Sequence, residues 1–220
     1  MSEEIKIRPF KPSDRAAVRE INYNTALLGE SAIKFFDDQE VFADALTRYF
    51  TDYEPQSCFV AESGNEVVGY LIGAKDALAM DGVIMGKMVL PLIFKAFLRG
   101  AFFKAKNIIF LLDCLYAFVR GEFFAPAFHK KYPAVLHINL KEGFRGQALG
   151  RRLIEAYLDY LKNEGVKGVH LCTMSDKAAD FFLAQGFTLL HESKRSYFRR
   201  YLHRDVPARI FGKHIFSRNN

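Results

Sequence analysis

Three observations predict a mixed α/β fold, a sheet flanked by helices with one helical insertion. Short segments with strand-like alternation or continuous apolar character are separated by longer segments whose apolar residues recur at helical intervals. The strand Leu136 to Leu140 runs through a glycine-bearing loop straight into the amphipathic stretch Arg151 to Asn163. Residues 79–131 carry a basic, phenylalanine-rich, helical pattern that the alternating plan does not need. At 220 residues and 50% hydrophobic, the chain is long enough to bury one good core, and nothing in it requires a second independent domain.

The elements follow in order. Ile5 and Ile7 alternate with polar residues as in a strand, and Ser13 is positioned to cap a helix carrying Ala17, Val18 and Ile21. Asp37 and Glu40 have capping-box spacing ahead of Val41, Phe42, Ala45, Leu46 and Tyr49, which predicts a second helix ending near Thr51. Residues 57–62 and 66–74 are apolar or alternating on either side of Ser63, Gly64 and Asn65, the pattern of an antiparallel hairpin that supplies the second and third strands. After Tyr132 and Pro133 come the fourth strand, a helix stopping at Gly165, and a fifth strand over 167–173. A helix over 177–184, a strand from Phe187 and a final strand over 208–215 complete a mixed sheet.

The strand, glycine loop and helix around Gly146 carry the chemistry. Such a turn aims several backbone N–H groups outward at the positive end of a helix dipole, where a phosphate or pyrophosphate docks. A P-loop would need Gly-Lys-Ser/Thr at the helix entry, and a dinucleotide fingerprint needs three glycines with an acidic residue about 20 positions on. Neither is present.

Arg145 to Gly150 resembles the acyl-CoA pyrophosphate loop of the GNAT superfamily of N-acetyltransferases, and Ser175 to Phe187 resembles that family's second motif, an asparagine, alanine, aromatic pair and Gly-Phe in fixed order. Residues 132–187 carry the most specific part of the likeness. Ala148 stands at the usual first glycine, Ser175 at the usual asparagine, and Phe182 at the tyrosine many members use as general acid. The resemblance implies an α/β (α+β) fold of GNAT type: a mixed, mostly antiparallel central sheet flanked by helices, with the insertion 79–131 between the third and fourth strands of a single domain spanning 1–220.

It further implies an acyltransferase in which an amine attacks the thioester of acetyl-CoA directly, within a ternary complex. Main-chain groups at Ile138 and Leu140 would hold pantetheine where the fourth and fifth strands splay. The loop Arg145, Gly146, Gln147, Ala148, Leu149, Gly150 and Arg151 would hold the pyrophosphate, with Ser175 and Phe182 completing the cofactor side. Arg145 is favoured over Arg151 and Arg152 for phosphate pairing. His137 shares a strand face with Asn139 and is the candidate general base, the alternative being a core histidine satisfied by a carbonyl or by Asn139. Glu30, Asp37, Asp38 and Glu54 are acidic alternatives, and Ser175 and Tyr197 are candidate proton donors in place of Phe182. Two other readings are a non-catalytic acyl-CoA sensor and a membrane-peripheral interaction module on this fold.

Residues 79–131 hold eight lysines and arginines against three acids, nearly all of the chain's +6, and nine of its 22 phenylalanines. The favoured expectation is that their apolar stripes pack on each other, on the sheet or on a second subunit as a homodimer. A lid over the acceptor and a basic, aromatic membrane-facing surface are the rival readings. A transmembrane span is not expected, for no run of ~20 apolar residues is free of charge, and nucleic acid is not an expected partner. Charge at Met1 to Lys6 argues against a signal peptide, and three scattered cysteines, read as core residues, fit a reducing cytoplasmic setting. The histidines show no metal-ligand spacing, so no metal is expected. The acceptor amine, whether small molecule or peptide, is not encoded in any motif.

Overall fold

The computed structural model describes residues 4–216; the charged start of the chain weighed against a signal peptide lies partly outside them. Seven strands, β1 (Ile5–Pro9), β2 (Phe59–Ser63), β3 (Glu66–Ala74), β4 (Ala134–Leu140), β5 (Gly168–Thr173), β6 (Thr188–Arg195) and β7 (Val206–His214), form one sheet in the order β1-β2-β3-β4-β5-β7-β6. All neighbours are antiparallel except β4 and β5. A parallel pair needs a crossover, and α6 (Leu149–Asn163) supplies it.

Both faces of the sheet's centre are covered, so β3 reads as a nearly continuous buried run. On one face α6 lays down Leu149, Leu153, Ile154, Tyr157 and Leu161, a stripe at helical spacing, beside Ala179 and Phe182 of α7 (Asp176–Ala184). Each such aliphatic side chain contributes about 1.5–3 kcal/mol by leaving water. Tyr157 fixes the helix to the sheet: its hydroxyl donates to the carbonyls of Val135 (2.8 Å) and Ala74 (3.2 Å). Its ring lies over Gly73, where a Cβ would come within 2.3 Å. On the other face α1 (Arg15–Thr25) packs Val18 and Ile21 against Tyr70 and Ile72.

The caps differ from expectation by one residue. Asp14, not Ser13, organises the entry to α1, taking the Lys11 N–H (2.8 Å) and pairing with Arg8. Asp38, not Asp37, caps α2 (Gln39–Arg48) by accepting from the Val41 N–H at 3.0 Å; Asp37 instead binds Lys106. Of the three cysteines only Cys58 is buried, and Cys172 is exposed because it lies beyond the last β4–β5 pair, where the sheet opens.

Between β3 and β4 lie α3 (Ala77–Val83), a π-helical turn (Ile84–Met88), α4 (Val89–Leu98) and α5 (Ala105–Val119). The first three run together as one 22-residue helix that by length and composition alone would suffice to cross a bilayer. Only Lys87 and Lys95 interrupt its apolar character after Asp81. Ion pairs tie this layer to α2: Lys95 with Asp44 (2.5 Å), Arg99 with Asp38 (2.9 Å) and Lys106 with Asp37. Arg19 of α1 completes the Asp44 cluster. The expected packing of the apolar stripes is met on one side only. Met88, Ala96, Ala101 and Ala117 are buried, while 19 of the 25 exposed large apolar residues among those described fall between Leu78 and Phe124.

α6 begins at Ala148, whose backbone is left-handed (φ 57°, ψ 4°). An L side chain there costs about 1–2 kcal/mol, so the departure from glycine is a real strain at the loop. Ala148→Gly should raise stability by about 0.5–1 kcal/mol, less than the full strain because glycine also loosens the unfolded chain. Urea denaturation checks it. Asp44→Asn should cost about 1–3 kcal/mol at pH 7, since it takes one of two carboxylates from buried Arg19, leaving Glu40, and removes the nearer partner of Lys95. Burial alone would raise the Asp44 carboxyl, but Lys95 and Arg19 pull it below its ordinary value. Its contribution is therefore present above the carboxylate range and is lost as pH falls through it, so the difference between the two proteins should shrink on acidification.

Candidate active site

β4 and β5 pair only at Ala134 with Val169 and at Val135 with His170. Beyond these two positions the strands part. β4 stays bonded to β3 through Leu140, and β5 stays bonded to β7 through Thr173. The edge of β4 from Leu136 to Leu140 therefore faces an opening with main-chain donors and acceptors that β5 does not take. An extended amide chain such as pantetheine fits such an edge by strand-like hydrogen bonding. Ile138 and Leu140 turn their side chains toward the α6 core, leaving the main chain as the part presented to the opening.

The loop after β4 arrives at the same end of the sheet. Arg145, Gly146, Gln147 and Ala148 are exposed, Gly146 is left-handed (φ 81°), and the Gln147 side chain folds back to the Gly143 carbonyl at 2.9 Å. α6 has no side-chain cap and no acidic residue in its first turn, unlike α2 and α7, which Asp38 and Ser175 cap. Its first N–H groups, at Leu149, Gly150 and Arg151, thus keep the positive end of the helix open to an anion. Gly150 lies against Phe181, where a Cβ would meet the ring at 3.0 Å. These features fit a pyrophosphate.

Arg145 and Arg151 separate clearly, and Arg152 is exposed on the first turn of α6 with no ion pair among the described residues. Arg151 pairs with Glu155 one turn on (2.7 Å) as a solvated helix pair. Arg145 crosses the mouth of the opening, making long contacts (3.4 Å) to the carbonyls of Leu140 and Gly29. Such contacts hold it weakly and leave the guanidinium available to a phosphate. Gly29 was not legible as a site residue: it sits in the Leu27–Glu30 turn at φ 103°, and a Cβ there would come within 2.8 Å of Arg145 Nη1.

Opposite the α6 face, His137 and Asn139 project toward α1. Asn139 Nδ2 lies 2.9 Å from Tyr70 Oη and 3.1 Å from His137 Nε2, and Asn22 Nδ2 donates to the same Tyr70 oxygen at 3.0 Å. The imidazole is exposed where the strands part, while the protein crowded around it on the other sides disfavours its charged form and pushes its pKa down to about 4. Tyr70 and Asn22 are a part of the site that sequence reasoning missed. The available signal was a tyrosine in an otherwise aliphatic central strand, which the sheet sets directly opposite Asn139.

Two expected cofactor contacts are placed elsewhere. Phe182 is a core residue, 4% exposed, packed edge-on against Phe181 and Phe187; it offers a ligand neither a face nor a proton. Ser175 is committed as the α7 cap, its hydroxyl accepting from the Ala178 N–H (3.4 Å). The acidic alternatives are committed too. Glu30 binds Lys34, Asp37 binds Lys106, and Asp38 binds Arg99 and the α2 cap. Glu54 is buried and accepts from Tyr49 Oη, Ser57 Oγ and the Lys75 N–H. Tyr197, by contrast, sets its hydroxyl 3.5 Å from the sulfur of Met174, just past the end of β5, and burial raises its pKa.

Comparison with known proteins places this geometry. The chain resembles the solved structure of SsHAT (TM-score 0.71, 24% identity, 97% of this chain and 100% of that one). It also resembles the polyamine N-acetyltransferase of Drosophila melanogaster, which forms N-acetylagmatine (0.59, 14%, 96% and 100%). A third likeness is to yncA, an acetyltransferase of Salmonella typhimurium solved with its cofactor acetyl-CoA (0.56, 15%, 98% and 96%). A search of curated proteins finds no match. The sequence profile of the acetyltransferase (GNAT) family matches residues 26–187, from the Arg145-contacting turn through the α6 loop to the end of α7. With its parted β4 and β5 and open α6 N-terminus, the chain belongs to that family, an N-acetyltransferase that uses acetyl-CoA as co-substrate.

Proposed function

We propose that the chain transfers acetyl to a primary amine by direct attack within the β4–β5 opening, and that His137 takes the proton the amine sheds. The observation that carries this is the position of His137 on the parted strand, next to the edge that would hold the thioester, while every acidic alternative is engaged elsewhere. Acetyl-CoA supplies the activated acyl group. The amine nitrogen bonds to the thioester carbon, the carbon–sulfur bond breaks, and the thiolate must gain a proton.

His137 is neutral at pH 7, as a base must be, and Asn139 holds it in place. Asn139 Nδ2 lies 3.1 Å from His137 Nε2 and donates to Tyr70 Oη at 2.9 Å, the oxygen that Asn22 also reaches. A base with a pKa about 4 cannot strip a ground-state ammonium, whose pKa is about 10. It suits the far more acidic nitrogen formed after attack. Tyr197, held protonated by burial, is the donor we assign to the thiolate in place of Phe182.

The acceptor class follows from the same commitments. Glu30, Asp37, Asp38 and Glu54 are engaged, so the acceptor side offers little to a polycation, and a single primary amine of a small molecule or peptide fits better. Phe182 favours a second reading, acyl-CoA binding without turnover.

Three outcomes test these assignments. Arg145→Glu should weaken acetyl-CoA binding about 10- to 100-fold by calorimetry; unchanged affinity would remove Arg145 from the site. His137→Gln should lower the acceptor-dependent rate about 10²-fold while leaving acetyl-CoA affinity unchanged, and an equal rate would end its role. Because burial depresses the imidazole, the free-enzyme pH–rate profile should show no inflection near the ordinary histidine value of 6.5. Activity due to His137 should fall only as pH drops through about 4, and that limb should vanish in His137→Gln.

A further inference from the structure

The insertion leaves a broad apolar surface with a definite shape and charge. On α4 and the preceding turn, Met85, Leu90, Phe94 and Leu98 are exposed, Leu90 at 75%. On α5 the bare residues, from Ile108 through Leu112 and Leu115 to Val119 at 77%, spread over about half the helix circumference at 100° per residue. Phe103 (74%) and Phe124 extend the surface at the two ends of α5. Such breadth exceeds the stripe by which one helix docks on another, and it far exceeds the scattered exposure normal for a surface in water.

The charges divide by side. Lys95, Arg99 and Lys106 point back to the protein and are neutralised by Asp44, Asp38 and Asp37. Of the segment's three acids, Asp113 is held by Arg200 (3.0 Å) and Glu122 by Arg120 and the Ser196 N–H, while Asp81 is exposed near the start of the long helix, on the far side of Lys87 from α4. Among the described residues Lys87 and Lys104, which adjoin Met85 and Phe103, make no ion pair. The outward side is thus apolar and aromatic with unpaired cations in its plane, complementary to the acyl and anionic headgroup layers of a bilayer.

We propose that residues 77–124 dock the enzyme on an anionic phospholipid membrane, with α4 and α5 lying in the interface. The helix Ala77–Leu98 has the length to span, but its pairs to α2 through Lys95 and Arg99 would have to break for it to do so. It therefore lies flat, its protein-facing side held by Met88 and Ala96. A second copy of the chain is the competing occupant.

The test is co-sedimentation of the full chain with vesicles of phosphatidylcholine alone and with about one-third phosphatidylserine, with sedimentation velocity run in parallel. Binding to the anionic vesicles is expected. Leu90→Glu/Phe94→Glu/Leu115→Glu should abolish it while calorimetric acetyl-CoA binding is kept, because these side chains are already exposed. Lys87→Gln and Lys104→Gln should each weaken it about fivefold at low salt, an effect that added salt erases. No vesicle binding would overturn the proposal. So would binding indifferent to the triple substitution, or a dimer in solution that the triple substitution splits.

Discussion

The parting of β4 from β5 after two residue pairs is the constraint on which the rest of the site depends, since it leaves one stretch of β4 main chain unpaired by β5 in the middle of a sheet. Unpaired backbone in a protein interior is costly, and a fold tolerates it where water or a ligand takes the groups. The same opening exposes His137 and places the α6 N-terminus at the mouth. The candidate pyrophosphate loop, the candidate pantetheine edge and the proposed proton acceptor are therefore not three separate inventions. They are the consequences of one missing run of ladder hydrogen bonds.

The opening stays fixed because its walls are locked from behind. Tyr157 joins α6 to the carbonyls of β3 and β4 at the point where β4 and β5 still pair, and Gly73 makes room for its ring. On the opposite face Tyr70 is held by Asn22 and Asn139, so the polar pair on β4 is anchored to α1. Side chains that touch no cofactor thus determine how precisely the reacting groups meet. Low basicity at His137 follows from the protein crowded around it, and in the proposed mechanism it restricts the residue to a proton that becomes acidic only after bond formation.

The insertion is attached by charge and bare of cover outside. Its inward cations meet acids of the N-terminal helices, and on the proposed function those acids are no longer free for an acceptor amine. Its outward residues hold an apolar area that water does not favour. A membrane-docked enzyme would meet acceptors presented at that surface, and catalysis and location would then be set by opposite sides of one helical layer.

Local signals carried much of this into the sequence. Period-two and helical spacing located the strands and long helices, and the two ordered motifs around Gly146 and Gly186 identified the fold, because backbone-held cofactors require a fixed loop whatever the side chains do. Caps were displaced by one residue because long-range partners decide between neighbouring side chains: Lys106 takes Asp37 and leaves Asp38 to cap α2, and Arg8 fixes Asp14 in place of Ser13. Tertiary structure alone decided that Phe182 faces the core, that Glu54 and Asp38 are already engaged, and that Gly29, Asn22 and Tyr70 belong to the site. It also decided that the insertion's stripes go uncovered. The physical reason is the same throughout: periodicity reports which side of an element is apolar, whereas partners distant in sequence determine what that side meets.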